Sequence, residues 1–179
     1  EISDEQLISM AKEAAKKAIA IGRKYDTLLE VYFDGQGYAQ KDEIAQVRKY
    51  HKNPNMWDYF LRTRIAVDRL EDLLDEKEGN LDKVQMLFAD MEEREEAWKE
   101  LEREGVFELV GSLQYNIEIN AVGVNKGTGL VNLGKMLGIR REEIMACGDG
   151  DNDIAMLKEV GFGVAMANAE EKVKAVADY

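Results

Sequence analysis

From Asn125 to Tyr179, apolar segments of two different periods alternate along the chain, and no other feature limits the fold so closely. "KGTGLVNLGKMLGI" has helical spacing, "EEIMACG" is a short apolar run of strand length, and "DNDIAMLKEV" is helical again. "GFGVAM" is strand-like, and "NAEEKVKAVADY" predicts a further helix capped by Asn168. Strands that alternate with helices run parallel and are joined by crossover helices, so this part of the chain reads as α/β with a parallel sheet.

The first 120 residues follow another pattern. Ser3 to Lys24 opens with a Ser-x-x-Gln capping box and carries Leu7, Met10, Ala11, Ala14, Ala15, Ala18 and Ile21 at helical spacing. "TLLEVYFDGQGYAQ" predicts a hairpin, with Asp34-Gly35 and Gly37 supplying left-handed backbone. Helices are expected over Asp42 to Tyr50 and Trp57 to Leu74, separated by the breaker at Pro54. Lys83 to Ala89 reads as a strand, and "DMEEREEAWKELEREG" as a helix with Met91, Ala97, Trp98 and Leu101 inward and Gly105 as its stop. "VFELVGS" and "YNIEINAVGV" give two more strands. Strands arriving in pairs indicate a mixed or antiparallel sheet. Two modules are therefore expected, residues 1–120 and residues 121–179, joined near residues 120–124.

The most chemically pointed stretch is "ACGDGDND", Ala146 to Asp153, at the end of one parallel strand and the start of the next helix. Open α/β sheets bind their ligands at such strand ends. A single acid there needs no more explanation than capping the helix, which Asp151 or Asp153 would do. Three crowded acids repel one another unless a cation lies among them, and an all-oxygen donor set suits a hard ion such as Mg²⁺ or Ca²⁺. An EF-hand loop starting at Asp149 fails, since it needs Gly where Ile154 stands and Glu where Val160 stands. Mg²⁺ fits better: Asp149 at the strand end and Asp153 in the first helical turn present a pair of carboxylates, and Asn152 an uncharged contact at the edge. Gly148 and Gly150 permit a sharp turn and close approach of a ligand.

Lys126, followed by "GTG", stands at another loop-to-helix junction in the same half, suited to a phosphoryl anion. Alone it reads as a solvated cation; beside the acidic loop it becomes a candidate phosphate contact. It is neither a Walker loop nor a dinucleotide fingerprint, because the required glycines are missing.

Taken together, "NKGTGLVNLGKMLGIRREEIMACGDGDNDIAMLKEVGFGVAMANA" resembles the C-terminal core of haloacid dehalogenase-like phosphatases of the Cof type. The resemblance implies a Rossmann-like parallel core, here its C-terminal part only, with residues 1–120 as an inserted α/β cap that selects substrate. It further implies that Lys126 steadies the phosphoryl group and the nucleophile, that Asp149 and Asp153 hold Mg²⁺, and that Asn152 helps orient the phosphoryl site. The family's Asp-x-Asp-Gly-Thr/Val strand, whose first Asp attacks phosphorus, does not precede the cap. In "VYFDGQ" Tyr32 holds the nucleophile position, so Asp34 is better read as a hairpin residue. The implied activity is hydrolysis of a small phosphorylated metabolite, such as a sugar phosphate, through an aspartyl-phosphate formed outside these residues. A non-catalytic module for Mg²⁺ and a phosphometabolite, or a phosphomutase-type transferase, are the alternatives.

Composition narrows the partners. A formal charge of −12 leaves no basic stripe for a phosphate backbone, so nucleic acid is not expected. Acid between Asp68 and Glu104 reads as solvated helix faces. Cys147 is the only cysteine and no run of membrane-spanning length occurs, which points to a reducing cytoplasm and no membrane partner. Cys147 is expected to be buried, His51 exposed, and Trp98 packed against its helix.

Overall fold

The computed structural model describes residues 3–179, which divide into two compact units. The first runs to Leu109 and takes in Leu113–Ala121; the second comprises Val110–Ser112 and Val122–Tyr179.

In the first unit, Ser3 caps α1 (Asp4–Gly22) with the expected box: its amide donates to Gln6 Oε1 at 2.9 Å and its hydroxyl accepts from the Gln6 amide at 3.2 Å. Only the C-terminal half of α1 is buried, through Ala15, Ala18, Ile19 and Ile21; Leu7 and Met10 are more than half exposed or nearly so. β1 (Thr27–Phe33) turns through Asp34 (φ 48°) and Gly35 (φ 76°) into β2 (Gln36–Gln40). Gly37 is not left-handed. A Cβ there would lie 2.7 Å from Arg64 Cδ, so its lack of a side chain makes room for the guanidinium stem.

The expected helix over Asp42 to Tyr50 is two single turns, α2 (Lys41–Ile44) and α3 (Val47–Tyr50), and a 3-10 turn at Pro54–Met56 leads into α4 (Trp57–Thr63). The long helix expected to Leu74 is interrupted: β3 (Ile65–Val67) pairs in parallel with β2 before α5 (Leu70–Glu76) begins. The β-branched Ile65 and Val67 favour strand, and the open edge of β2 supplies the hydrogen bonds. β4 (Leu81–Phe88) is followed by α6 (Met91–Glu104), whose N-terminus is held by Asp90 and whose C-terminus is stopped by left-handed Gly105 (φ 65°). Ala97 and Leu101 are buried, but Met91, at the first turn, is exposed. β5 (Phe107–Val110) and β6 (Asn116–Ala121) complete a six-stranded sheet in the order β3-β2-β1-β4-β6-β5.

Period-two alternation gives this sheet two different faces. Leu29, Val31 and Phe33 join Val84, Met86, Phe88, Ile117 and Ile119 against α1, α5 and α6. Leu28, Ala39 and Leu87 pack on the other face against Val47, Tyr50 and Phe60. Each such leucine or phenylalanine contributes about 1.5–3 kcal/mol on burial.

His51 is buried beside this second cluster, against expectation. Its Nδ1 lies 3.1 Å from the Tyr115 hydroxyl, its ring meets Phe60 and Tyr115 edge-on, and its carbonyl accepts from Trp57 Nε1 at 2.8 Å. Burial, and then the charge of Arg64, push its imidazole below the ordinary histidine value. The native state therefore binds fewer protons here than the unfolded chain, so the stability His51 contributes is present above its unfolded pKa and fades as pH falls below it. Between pH 7.5 and 5.5 the urea midpoint should fall more for the wild type than for His51→Gln, and equal falls in both would disprove this.

In the second unit, α7 (Lys126–Leu137) starts at Asn125, whose Oδ1 accepts from the Gly127 and Thr128 amides, and ends at left-handed Gly138. β7 (Met145–Gly148), α8 (Ile154–Glu159) and β8 (Phe162–Ala165) form a parallel β-α-β unit. α9 (Glu171–Lys174) is one turn with Glu170 at its N-cap, so Asn168 is not the cap. Cys147 is exposed, not buried, because β7 and β8 form a sheet of only two strands; Met145 and Phe162 are exposed for the same reason. Among the described residues no helix is long and apolar enough to cross a membrane.

Candidate functional site

Two glycines bring the site together. At the start of α7, a Cβ on Gly127 would lie 2.7 Å from the Ala155 carbonyl, so its absence lets this helix approach α8 closely. Lys126, the first residue of α7, thereby places its Nζ 2.6 Å from Asp153 Oδ1. At the end of β7, a Cβ on Gly148 would lie 2.4 Å from that of Asp153. Gly148 and Gly150 both lack positive φ; they are needed for the approach of the loop's own side chains.

Asp153 is 5% exposed, and its Oδ2 accepts from the Asp149 amide at 3.0 Å and the Gly150 amide at 3.1 Å. It closes the loop on itself: Asp153 stands at the N-cap position of α8, but its side chain makes no capping hydrogen bond. Burial works to raise its pKa, but the Lys126 ammonium and the two loop amides outweigh burial and hold the carboxyl below the ordinary value. Asp153 is therefore an anion at neutral pH, with one oxygen on an ammonium and the other on two amides.

Asp149 is exposed, and its Oδ2 accepts from Asn168 Nδ2 at 3.0 Å. Asp151 does not cap the helix either: its Oδ2 pairs with Lys172 at 2.6 Å. Asn152 is half-buried within the 3-10 turn Asp151–Asp153, and its side chain makes no hydrogen bond among the described residues. Asn168 and Lys172 join this loop only in the folded chain. The sequence pattern makes Asn168 a helix cap and puts Lys172 inside the helix that follows, and no spacing signal links either to the loop.

The family described as haloacid dehalogenase-like hydrolase matches residues 2–179. The chain belongs to the haloacid dehalogenase-like hydrolases. One member of the family's fold, a haloacid dehalogenase-like hydrolase from B. subtilis, is similar with a TM-score of 0.75 and 24% identity over 99% of this chain and 66% of that one, a likeness of fold. A structure described as the HAD subclass IIB sugar phosphatase BT4131 is 25% identical with a TM-score of 0.67, covering 94% of this chain and 60% of that one. In sequence, the 5-amino-6-(5-phospho-D-ribitylamino)uracil phosphatase YcsE of Bacillus subtilis is 48% identical over 86 residues, 48% of this chain and 34% of that protein. A phosphoglycolate phosphatase of Methanosarcina mazei is 46% identical over 72 residues, 40% of this chain and 31% of that protein. The matched stretches thus span about a third of these relatives' own length.

Haloacid dehalogenase-like hydrolases of the phosphatase type imply Mg²⁺, and the donor set fits a hard ion: Asp149, Asn152 and Asp153 offer only oxygen, apart from the Asn152 amide nitrogen. Asp149 has an oxygen that accepts no hydrogen bond among the described residues, whereas both oxygens of Asp153 are taken. No group of three or more acidic, histidine or cysteine side chains is arranged to enclose a metal among the described residues.

Proposed function

We propose that this chain is the cap, residues 1–120, and the C-terminal part of the core, residues 121–179, of a Mg²⁺-dependent phosphatase. Its substrate is a small phosphorylated metabolite such as a sugar phosphate, and its nucleophile is an aspartate outside these residues. The observation that carries the reading is the Lys126 ammonium fixed 2.6 Å from the Asp153 carboxylate, next to the exposed carboxylate of Asp149. The phosphatase names of the relatives, and the exposed apolar residues Met145 and Phe162 on a two-stranded parallel sheet, add support; parallel sheets are ordinarily covered on both faces.

In this reading Asp149 is the direct metal ligand and Asp153 the anion that orients Lys126. When bound, Mg²⁺ would offset charge on a phosphoryl oxygen. Lys126 presents a fixed cation to the same group with no reorganisation at the moment of reaction. Asn152 offers an uncharged amide to a phosphoryl oxygen. Phosphoryl transfer to the aspartate and then to water completes hydrolysis.

Assayed with p-nitrophenyl phosphate and Mg²⁺, the 179-residue chain should release no nitrophenol. The same chain together with an upstream segment bearing the Asp-x-Asp strand should release it until EDTA is added. Turnover by the 179 residues alone overturns the reading, as does a joined protein that is inert or indifferent to EDTA. Transfer of phosphate to a second sugar phosphate in place of water would make it a transferase.

A further inference from the structure

The three acids of the loop differ in their partners. Asp153 faces the Lys126 ammonium at 2.6 Å, and Asp151 faces the Lys172 ammonium at 2.6 Å. Asp149 alone of the three is met by a neutral donor, the Asn168 amide at 3.0 Å, and no lysine or arginine lies within ion-pair distance of it among the described residues. An ammonium at that place would offset the carboxylate charge, whereas an amide takes up one oxygen and leaves the charge uncompensated.

The backbone around Asn168 is anchored on both sides. The Met166 amide donates to the Gly148 carbonyl at 2.9 Å, which ties the segment after β8 to the end of β7. Ala169, 5% exposed, packs with Leu157 of α8 and Val173 of α9, and its amide closes a turn onto the Met166 carbonyl at 2.9 Å. The side chain of Asn168 is itself exposed, so its bond to Asp149 is not needed to fill the core.

We propose that Asn168 is a positioning residue for Asp149: it fixes the carboxylate by one oxygen and leaves the other for a divalent cation. The inference rests on the metal-dependent reading above and ranks its two carboxylates, with Asp149 as the ligand and Asp153 as the internal counter-ion. Groups that orient a metal ligand through a hydrogen bond typically change affinity about 10-fold or more when removed.

The test uses Mn²⁺ as a spectroscopic stand-in for Mg²⁺, titrated into the 179-residue chain and followed by the electron paramagnetic resonance of free Mn²⁺ and by broadening of the Asp149 and Gly150 amide signals. Asp149→Asn should abolish the site-specific broadening. Asn168→Leu and Asn168→Ala should each weaken Mn²⁺ binding about 10-fold, with melting midpoint and remaining amide spectrum unchanged. Lys172→Met, which frees a carboxylate beside the site, should not weaken binding. If the wild type binds no Mn²⁺, or Asp149→Asn binds it as the wild type does, the metal reading itself fails and this inference with it. If Asp149→Asn loses the ion while both Asn168 variants bind it like the wild type, or weaken it only by unfolding the loop, Asn168 does not position Asp149 and the metal reading stands without it.

Discussion

Replacing Arg64 by methionine is expected to destabilise the first unit by about 3–5 kcal/mol, the usual cost of leaving one member of a buried ion pair without its partner. Glu30 lies in the central strand β1 and is fully buried; Arg64, at the end of α4, pairs with it. Arg64 also donates to the Tyr32 hydroxyl at 2.6 Å, and its guanidinium packs over the Phe60 ring at 4.8 Å and the Tyr32 ring at 5.2 Å. Tyr32 and Gln85 each donate to Glu30, at 3.0 and 3.1 Å, so the carboxylate is fully engaged. Methionine fills much of the arginine stem's volume but leaves the charge of Glu30 unanswered.

Burial already raises the pKa of Glu30, with Arg64 opposing, and removing Arg64 raises it further. A carboxyl whose folded pKa lies above its unfolded value weakens the fold most when pH is high, and the penalty eases as pH falls through the folded value and the group takes a proton. The deficit of Arg64→Met should therefore shrink between pH 8 and pH 5. Adding Glu30→Gln to it should recover most of the loss at pH 8. Urea denaturation of both single variants and the double variant measures the coupling. Losses that simply add would mean that the sheet of the first unit does not rely on this ion pair.

The second large effect concerns turnover. In the phosphatase-competent protein, Lys126→Met is expected to lower kcat about 10²- to 10³-fold, equivalent to roughly 3–4 kcal/mol of transition-state stabilisation. Methionine keeps the length of the side chain and removes the charge. Its effect should fall on kcat more than on KM, since the phosphoryl group carries the charge to be balanced. Lys126→Arg should restore only part of the rate, because a planar fork does not replace a compact ammonium. Asp153 keeps its two loop amides in both variants, so a denaturation midpoint close to the wild type separates loss of chemistry from loss of fold. A Lys126→Met enzyme with wild-type kcat would remove Lys126 from the mechanism.

Some of this protein follows from short-range rules and was legible in the sequence. Asp90 and Gly105 bracket α6, Ser3 and Gln6 open α1, and Asp34-Gly35 makes the hairpin, because caps and two-residue turns are satisfied within a few residues. β3 was not legible: three residues become a strand only because β2 offers them an edge. His51 stands in a polar stretch of sequence, yet Tyr115, 64 residues away, and Phe60 enclose it.

The candidate site divides in the same way. The loop, the oxygen-bearing side chains of Asp149, Asn152 and Asp153, and the alternation that puts the loop at a strand end are all readable from the chain's residues. Which acid meets which partner depends on long-range packing. Asn168 reaches Asp149 across 19 residues, Lys172 reaches Asp151 across 21 and Lys126 reaches Asp153 across 27. Such pairings depend on how closely α7 and the segment after β8 pack against α8 and β7, and charge partners chosen by packing leave no period or spacing in the chain.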